Sequence, residues 1–361
     1  MKEYYSPADF DGAPKYDAHI HYHTFDGLFV RKAAKAGLHL LTVNTNFDIL
    51  PIDVQFEISR SLHLRHPQTF NFLGAFDATN FASETFADDS VRQIKKCRAA
   101  GARGIKIWKN AGMVLKNEAG QYLMADDPLF DPIYAFLEKE KIPLLAHLGE
   151  PRNCWLPLER MTTHSDRQYY SKNPQFHMYL HPETPSCEQQ IAARDRILER
   201  YPGLIFVGAH LGSMEWSLEE LANRFDRFPN FYVDLSGRIT HIFEQTFRNR
   251  NGVIDFFQTY RDRVMYGLDY FVSPNGSRNW MRPVCKCFPR VYMNWLFGHL
   301  YGEIEKHWLF FATDQVIKTG KVLNTPLSPR YIKGIRLPKD TVDRIFYENV
   351  RRVYLNSNLN G

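Results

Sequence analysis

Apolar, β-rich runs alternate with segments of helical periodicity along most of this chain. The runs at 15–21, 38–43, 70–76, 103–109, 142–147, 204–210, 231–235 and 263–269 read as strands, because short apolar stretches bounded by turn-forming residues fit a buried sheet. Between them, 28–36, 55–66, 90–100, 128–141, 186–201 and 254–260 read as helices, with another beginning at Ser217. Several ends carry their own signals: Gly37 and Gly101 lie just past helix C-termini, Pro67 stops the second helix, and Ser186 with Gln189 forms a capping box. Eight strands alternating with helices predict an α/β fold of the (β/α)8 TIM-barrel type. A dinucleotide-binding sheet would need about six strands and a glycine-rich fingerprint after the first, which this chain lacks.

Two stretches exceed a bare barrel. One, 149–185 after strand five, is rich in Tyr, His and Pro; the other, 270–336 after strand eight, carries Trp280, Trp295 and Trp308. Insertions after barrel strands lie on the face where barrels bind ligands. The first is therefore expected to shape a substrate, and the second to act as a lid, an oligomer contact, or both. An amphipathic helix over 338–356 is expected to complete the outer ring, and the whole chain, 1–361, to form a single domain.

Composition narrows the class. With 44% hydrophobic and 24% charged residues, 361 residues can bury a substantial core. The net charge of +5 is modest and the basic residues are scattered, which argues against nucleic acid as a partner. The N-terminus lacks an apolar signal core and no run reaches the length of a membrane span. Five dispersed cysteines, Cys97, Cys154, Cys187, Cys285 and Cys287, fit a reduced, cytoplasmic setting, with Cys285-x-Cys287 read as incidental thiols.

The candidate chemistry sits at strand ends. Asp17, His19 and His21 alternate along strand one and so share a face; His147 ends strand five, His210 strand six and Asp269 strand eight. In a barrel these ends meet at one mouth. Three histidines and a carboxylate suit Zn²⁺ or a comparable divalent ion with a position left for water, whose pKa the ion would lower to roughly 7. A neighbouring carboxylate can take the proton and later return it to a leaving group.

Asp17-x-His19-x-His21, the strand-five His147, Gly208-Ala209-His210-Leu211-Gly212 and Tyr266-Gly267-Leu268-Asp269 together resemble the amidohydrolase superfamily, and within it the amidohydrolase-related (amidohydrolase 2) family of metal-dependent TIM-barrel enzymes. The resemblance runs from about Tyr16 to Asp269 and includes the ending Tyr347-Glu348-Asn349-Val350-Arg351-Arg352. It implies that His19, His21, His147 and Asp269 bind metal, that His210 binds it or steers the attacking or developing oxygen, and that Asp269 is the general base. Lys106 on strand four resembles the carboxylated lysine that bridges two metals in some superfamily members; alternatively Lys106 or Lys109 offers positive charge to an anionic substrate. One ion per chain is the expectation, two the alternative.

His147-Leu148-Gly149-Glu150 looks like the strand-five motif of adenosine-deaminase-type enzymes, in which the Glu donates a proton; Glu150 is thus a candidate acid or substrate contact. Arg152, Trp155, Tyr170 and Arg238 are candidate substrate contacts, favouring a carboxylated or aromatic small molecule. Asp234 is expected to touch substrate or to pair with Arg238, and His177, His181 and Glu183 could form a separate metal site. The leading function is a metal-dependent hydrolase of a lactone, amide or ester. A non-oxidative decarboxylase of an aromatic or unsaturated acid is the alternative, and the Trp-rich region suggests a homodimer.

Overall fold

The computed structural model describes residues 3–46, 50–273 and 287–356. Its sheet has the order β8-β7-β6-β5-β4-β3-β2-β1-β9, parallel throughout. The strands are β1 (Lys15–Tyr22), β2 (Leu38–Val43), β3 (Phe70–Ala75), β4 (Ile105–Ile107), β5 (Leu144–Ala146), β6 (Phe206–Gly208), β7 (Phe231–Asp234), β8 (Val264–Met265) and β9 (Tyr270–Val272). β8 and β9 are two halves of one strand, broken at residues 266–269. The first half pairs with β7 and the second with β1. The break itself stays bonded to β1, through Ala18 N–H to the Tyr266 carbonyl at 3.0 Å and Asp269 N–H to the His19 carbonyl at 2.8 Å. The ring is therefore closed, and the expected (β/α)8 barrel is the architecture.

The barrel has two apolar layers. Outside the strands, Phe70, Phe72, Ile105, Leu144, Phe206 and Val264 pack on the surrounding helices. Inside, Tyr16, Ala18, Leu41, Val43, Leu73, Leu145, Val207 and Met265 form a separate cluster with Val350, Val353 and Tyr354. The terminal segment serves both layers: Val342, Ile345 and Phe346 join the outer core, as its amphipathic pattern suggested, whereas Val350, Val353 and Tyr354 enter the inner cluster. It runs as a short α-helix, Lys339–Asp343, continued by wider π-type turns at Arg344–Glu348 and Arg351–Leu355, and plugs the barrel at the start of its strands. There Tyr347 meets the rings of Tyr16 and His39, and Asn349 Nδ2 donates to the Arg261 and Val264 carbonyls. The apolar face and its outer partner were legible; the turn into the barrel was not.

Alternation along β1 is also interrupted. Its register on β2 shifts between Asp17 and Ile20, so Tyr16 and Ala18 join the inner cluster and yet His19 and His21 face the cavity too. Asp17 is not a third donor on their face: its Oδ1 accepts the N–H groups of His19 (3.1 Å) and Leu268 (3.0 Å) and so ties β1 to the break in the eighth strand. Gly267 makes that approach possible. A Cβ there would lie 3.0 Å from His19 Cβ and 3.1 Å from its backbone nitrogen. Gly267→Ala is expected to destabilise the fold by about 1–3 kcal/mol, as overpacking against backbone does, and urea unfolding measures it.

The helix Ile239–Arg248, following β7, was not anticipated from the sequence pattern. The excursion after β5 is a chain of short helices packed around Cys154, Met161 and Tyr170. The second excursion starts only after Val272, since 270–272 belong to the barrel. It contains the long helix Pro289–Ala312 and an antiparallel hairpin, β10 (Val316–Lys318) with β11 (Tyr331–Lys333). Trp308 is buried against Phe10 and Tyr5, whereas Trp295 is exposed; Trp280 and Cys285 lie outside the described residues. The two excursions are joined: His164 N–H donates to the Val322 carbonyl and Asn324 N–H to that of Thr162. Among the described residues no helix is long and apolar enough to cross a membrane, and Cys97, Cys154, Cys187 and Cys287 are free thiols.

Candidate metal centre

Five of the residues singled out from sequence meet at the mouth. The donor atoms of His19, His210 and Asp269 lie within 4.8 Å of one another. His21 Nε2 is 3.3 Å and His19 Nε2 3.8 Å from Asp269 Oδ1, and His147 Nδ1 is 3.3 Å from His210 Nε2. His19, His21 and His210 are buried, while His147 and Asp269 keep partial exposure, 30% for the Asp269 side chain.

Each imidazole is held by its far nitrogen. His19 Nδ1 is 2.8 Å from Asp234 Oδ2, and His21 Nδ1 is 3.0 Å from the Val43 carbonyl. Each Nδ1 must carry the hydrogen to satisfy these acceptors, which puts the ring lone pair on Nε2; that of His21 stands 3.3 Å from Asp269 Oδ1. The same logic orders the other two rings. His210 Nδ1 is bonded to the Ser236 carbonyl at 2.8 Å, so its Nε2 accepts from His147 Nδ1. His147 Nε2 is then the free lone pair. His19 Nε2 and His147 Nε2 are buried and have no hydrogen-bond partner in the structure. Orphaned, buried acceptors around a carboxylate are what a divalent cation satisfies, and a carboxylate behind a histidine is the common support for such a ligand.

The electrostatics agree with this donor set. Burial lowers the pKa of His21, lowers that of His147 strongly, and brings His210 down to about 3, so neutral rings are presented. Burial opposes ionisation of Asp269, while positive charge in the cluster, on His210, His21 and His19 or on a bound cation in place of their protons, holds the carboxyl well below its ordinary range. Asp234 is likewise kept ionised against its burial by His19 and His210.

The backbone at two of these positions is strained. His210, Leu211, Gly212 and Ser213 form a consecutive left-handed turn, with φ of 60°, 59°, 61° and 58°, and Asp269 has φ 65°. For non-glycine residues this costs roughly 1–2 kcal/mol each and is found where surrounding structure enforces a functional geometry. The enforcing bonds are visible: His210 N–H donates to Asp234 Oδ1 at 2.8 Å, and Ser213 Oγ donates to the Leu148 carbonyl at 2.6 Å.

Other expectations fare differently. Asp234 does not pair with Arg238; it supports His19, His210 and Ser236, whose hydroxyl donates to its Oδ1 at 2.5 Å. Lys106 is buried beside the cluster, and its Nζ has no partner. Glu150 forms an ion pair with Lys109 at the edge of the mouth. Arg152 is not brought to the cluster: its guanidinium lies 4.3 Å over the Trp216 ring, in a groove outside the barrel lined by Cys187 and Glu188. Trp155 is used by its own excursion, with Nε1 donating to the Pro185 carbonyl. His177 and His181 bond the Leu156 and Pro174 carbonyls, and among the described residues no group of three metal donors gathers there.

Sequence reasoning missed an outer polar cluster. His241 Nε2 is 3.1 Å from Asp166 Oδ2, which Asn153 Nδ2 also reaches at 2.8 Å. The buried Glu215 accepts the Arg152 N–H at 2.8 Å. Arg238 and Tyr170 lie among these groups. Burial works against the Arg238 charge, but Glu215, Asp166 and Glu150 outweigh it. No local signal marks Asp166 or Glu215, because what unites them is contact between an excursion and the loop after β6.

A family model described as Amidohydrolase matches residues 71–355. No curated protein matches the chain. Among solved structures, 4-oxalomesaconate hydratase from Rhodopseudomonas palustris is 13% identical, covering 90% of this chain and 79% of that one at a TM-score of 0.45. Amidohydrolase 2 from Bifidobacterium longum subsp. infantis is 11% identical, covering 95% and 98% at 0.43. Dihydroorotase from Campylobacter jejuni is 11% identical, covering 95% and 83% at 0.46.

Proposed function

The chain belongs to the amidohydrolase family and is an enzyme of the hydrolase type; from that premise we propose that His19, His21, His147 and Asp269 hold one divalent ion and that the enzyme hydrolyses a small lactone, amide or ester. The observation that carries this reading is the pair of buried, unpartnered nitrogens His19 Nε2 and His147 Nε2, on imidazoles fixed at their other nitrogen, beside the Asp269 carboxylate. A divalent ion supplies Lewis acidity there, bringing the pKa of water to roughly 7 and polarising a carbonyl; zinc suits the donors.

The residues then divide the work. Asp269, ionised and partly open to the mouth, accepts the proton of the attacking water and returns it to the leaving group. Asp234 and the Val43 carbonyl keep His19 and His21 in the tautomer that carries its hydrogen on Nδ1. His210 holds His147 in orientation and stands beside the position of the substrate oxygen. The paired Lys109 and Glu150 border the same mouth as a substrate contact.

Elemental analysis of the purified chain tests the reading. About one ion per chain is expected in the wild type and a loss of it in His147→Ala. Turnover of a lactone and amide panel should then incorporate oxygen from labelled water. Release of carbon dioxide without that incorporation would identify a decarboxylase instead, and a chain that takes up no ion would end the proposal.

A further inference from the structure

The charges around the mouth can be paired off almost completely. A divalent ion is matched by the carboxylates of Asp234 and Asp269. Lys109 is matched by Glu150, and Arg238 and His241 by Glu215 and Asp166. Asp17, whose pKa burial raises to about 7, has its Oδ1 turned to backbone N–H groups between β1 and the eighth strand, and its buried Oδ2 is unpartnered. Among the described cations of the mouth, Lys106 is left without an acceptor. It is 2% exposed, its Nζ reaches no acceptor, and its charge bears on Asp234, Asp269 and His147. A buried ammonium with no hydrogen bond, placed next to a cation site, is costly unless something anionic arrives to meet it.

We propose that the substrate carries a carboxylate in addition to the carbonyl that reacts, and that Lys106 Nζ binds this carboxylate. The inference rests on the reading of the mouth as a metal-dependent active site. Lys106 lies on β4, beside β5 and the His147 that follows it, whereas Asp269 stands on the far side, in the break between β8 and β9 that is bonded to β1. The anionic group therefore seats on the β4–β5 side, and the reacting carbonyl is directed toward Asp269. Lys106 in this role sets specificity: neutral analogues of the same shape leave its ammonium desolvated and unpaired.

The test is calorimetric titration of the metal-loaded protein with succinate and with its diamide, for the wild type and Lys106→Met, with metal content measured on the same samples. A charge-assisted bond to a buried site is worth about tenfold or more, so the wild type should prefer succinate by at least that factor. Lys106→Met should keep its ion, lose the preference, and melt no lower than the wild type, since an apolar side chain of similar volume replaces an unpaired charge. If Lys106→Met retains the preference, the anion is held by the ion alone and the inference fails while the metal reading stands. If intact mass shows carbon dioxide covalently added to Lys106 and two ions per chain, the lysine is a bridging ligand and the inference is overturned. A wild-type chain without any ion overturns the functional reading and this one with it.

Discussion

Asp269→Asn is expected to lower kcat by about a thousandfold on any substrate the enzyme turns over, within the range that loss of a general acid–base group produces. The side chain keeps its shape and remains able to face the imidazoles, so ion content should fall far less than activity. The argument rests on position and charge. Asp269 keeps partial exposure at the mouth, and positive charge in the cluster holds it ionised against its burial. Its left-handed backbone is fixed by the bond to the His19 carbonyl, so the amide variant should fold normally. Steady-state kinetics with elemental analysis reads both quantities. An Asn variant with full activity would remove Asp269 from the proton-transfer step.

Asp234→Asn should weaken ion binding about 10–100-fold, the usual consequence of changing the group behind a metal-binding histidine. Competition with a chromogenic chelator measures it. Asp234 Oδ2 receives His19 Nδ1, while Oδ1 receives the His210 N–H and the Ser236 hydroxyl. An amide offers only one oxygen to these three donors. Either His19 loses the tautomer that presents Nε2, or the left-handed turn at His210 loses its anchor. The variant should therefore also unfold at lower denaturant, and Asp234→Ala, which leaves the donors wholly unmet, at lower still.

What sequence reasoning captured was whatever local pattern controls. Strand-end histidines, the eight apolar runs and the Ser186 capping box all depend on neighbours in the chain, and the structure contains each of them. What escaped it depends on neighbours in space. The register shift after Asp17 has no side-chain signature, so simple alternation put Asp17 on the metal face when it in fact clamps two strands. Asp234 was visible at the end of its strand, but its partner lies 215 residues away. Arg152 is a short step from His147 along the chain, yet the intervening turn sends its guanidinium outward onto Trp216. The terminal segment was expected against the outer layer, where Val342, Ile345 and Phe346 do lie; that Val350, Val353 and Tyr354 turn into the barrel's lower end depends on the closed ring.

The break in the eighth strand has a consequence for the order in which the molecule can assemble. β1, with His19 and His21, leaves the ribosome early, but the edge that pairs with β9 stays uncovered until residues 270–272 arrive. Throughout that interval an apolar strand is exposed to other chains, as expected for a topology dominated by distant contacts. Asp269 arrives with the closing strand, and the plug formed by Val350, Val353 and Tyr354 comes later still. Completion of the donor set and closure of the ring are thus one event, so a truncated chain ending before residue 269 would have neither.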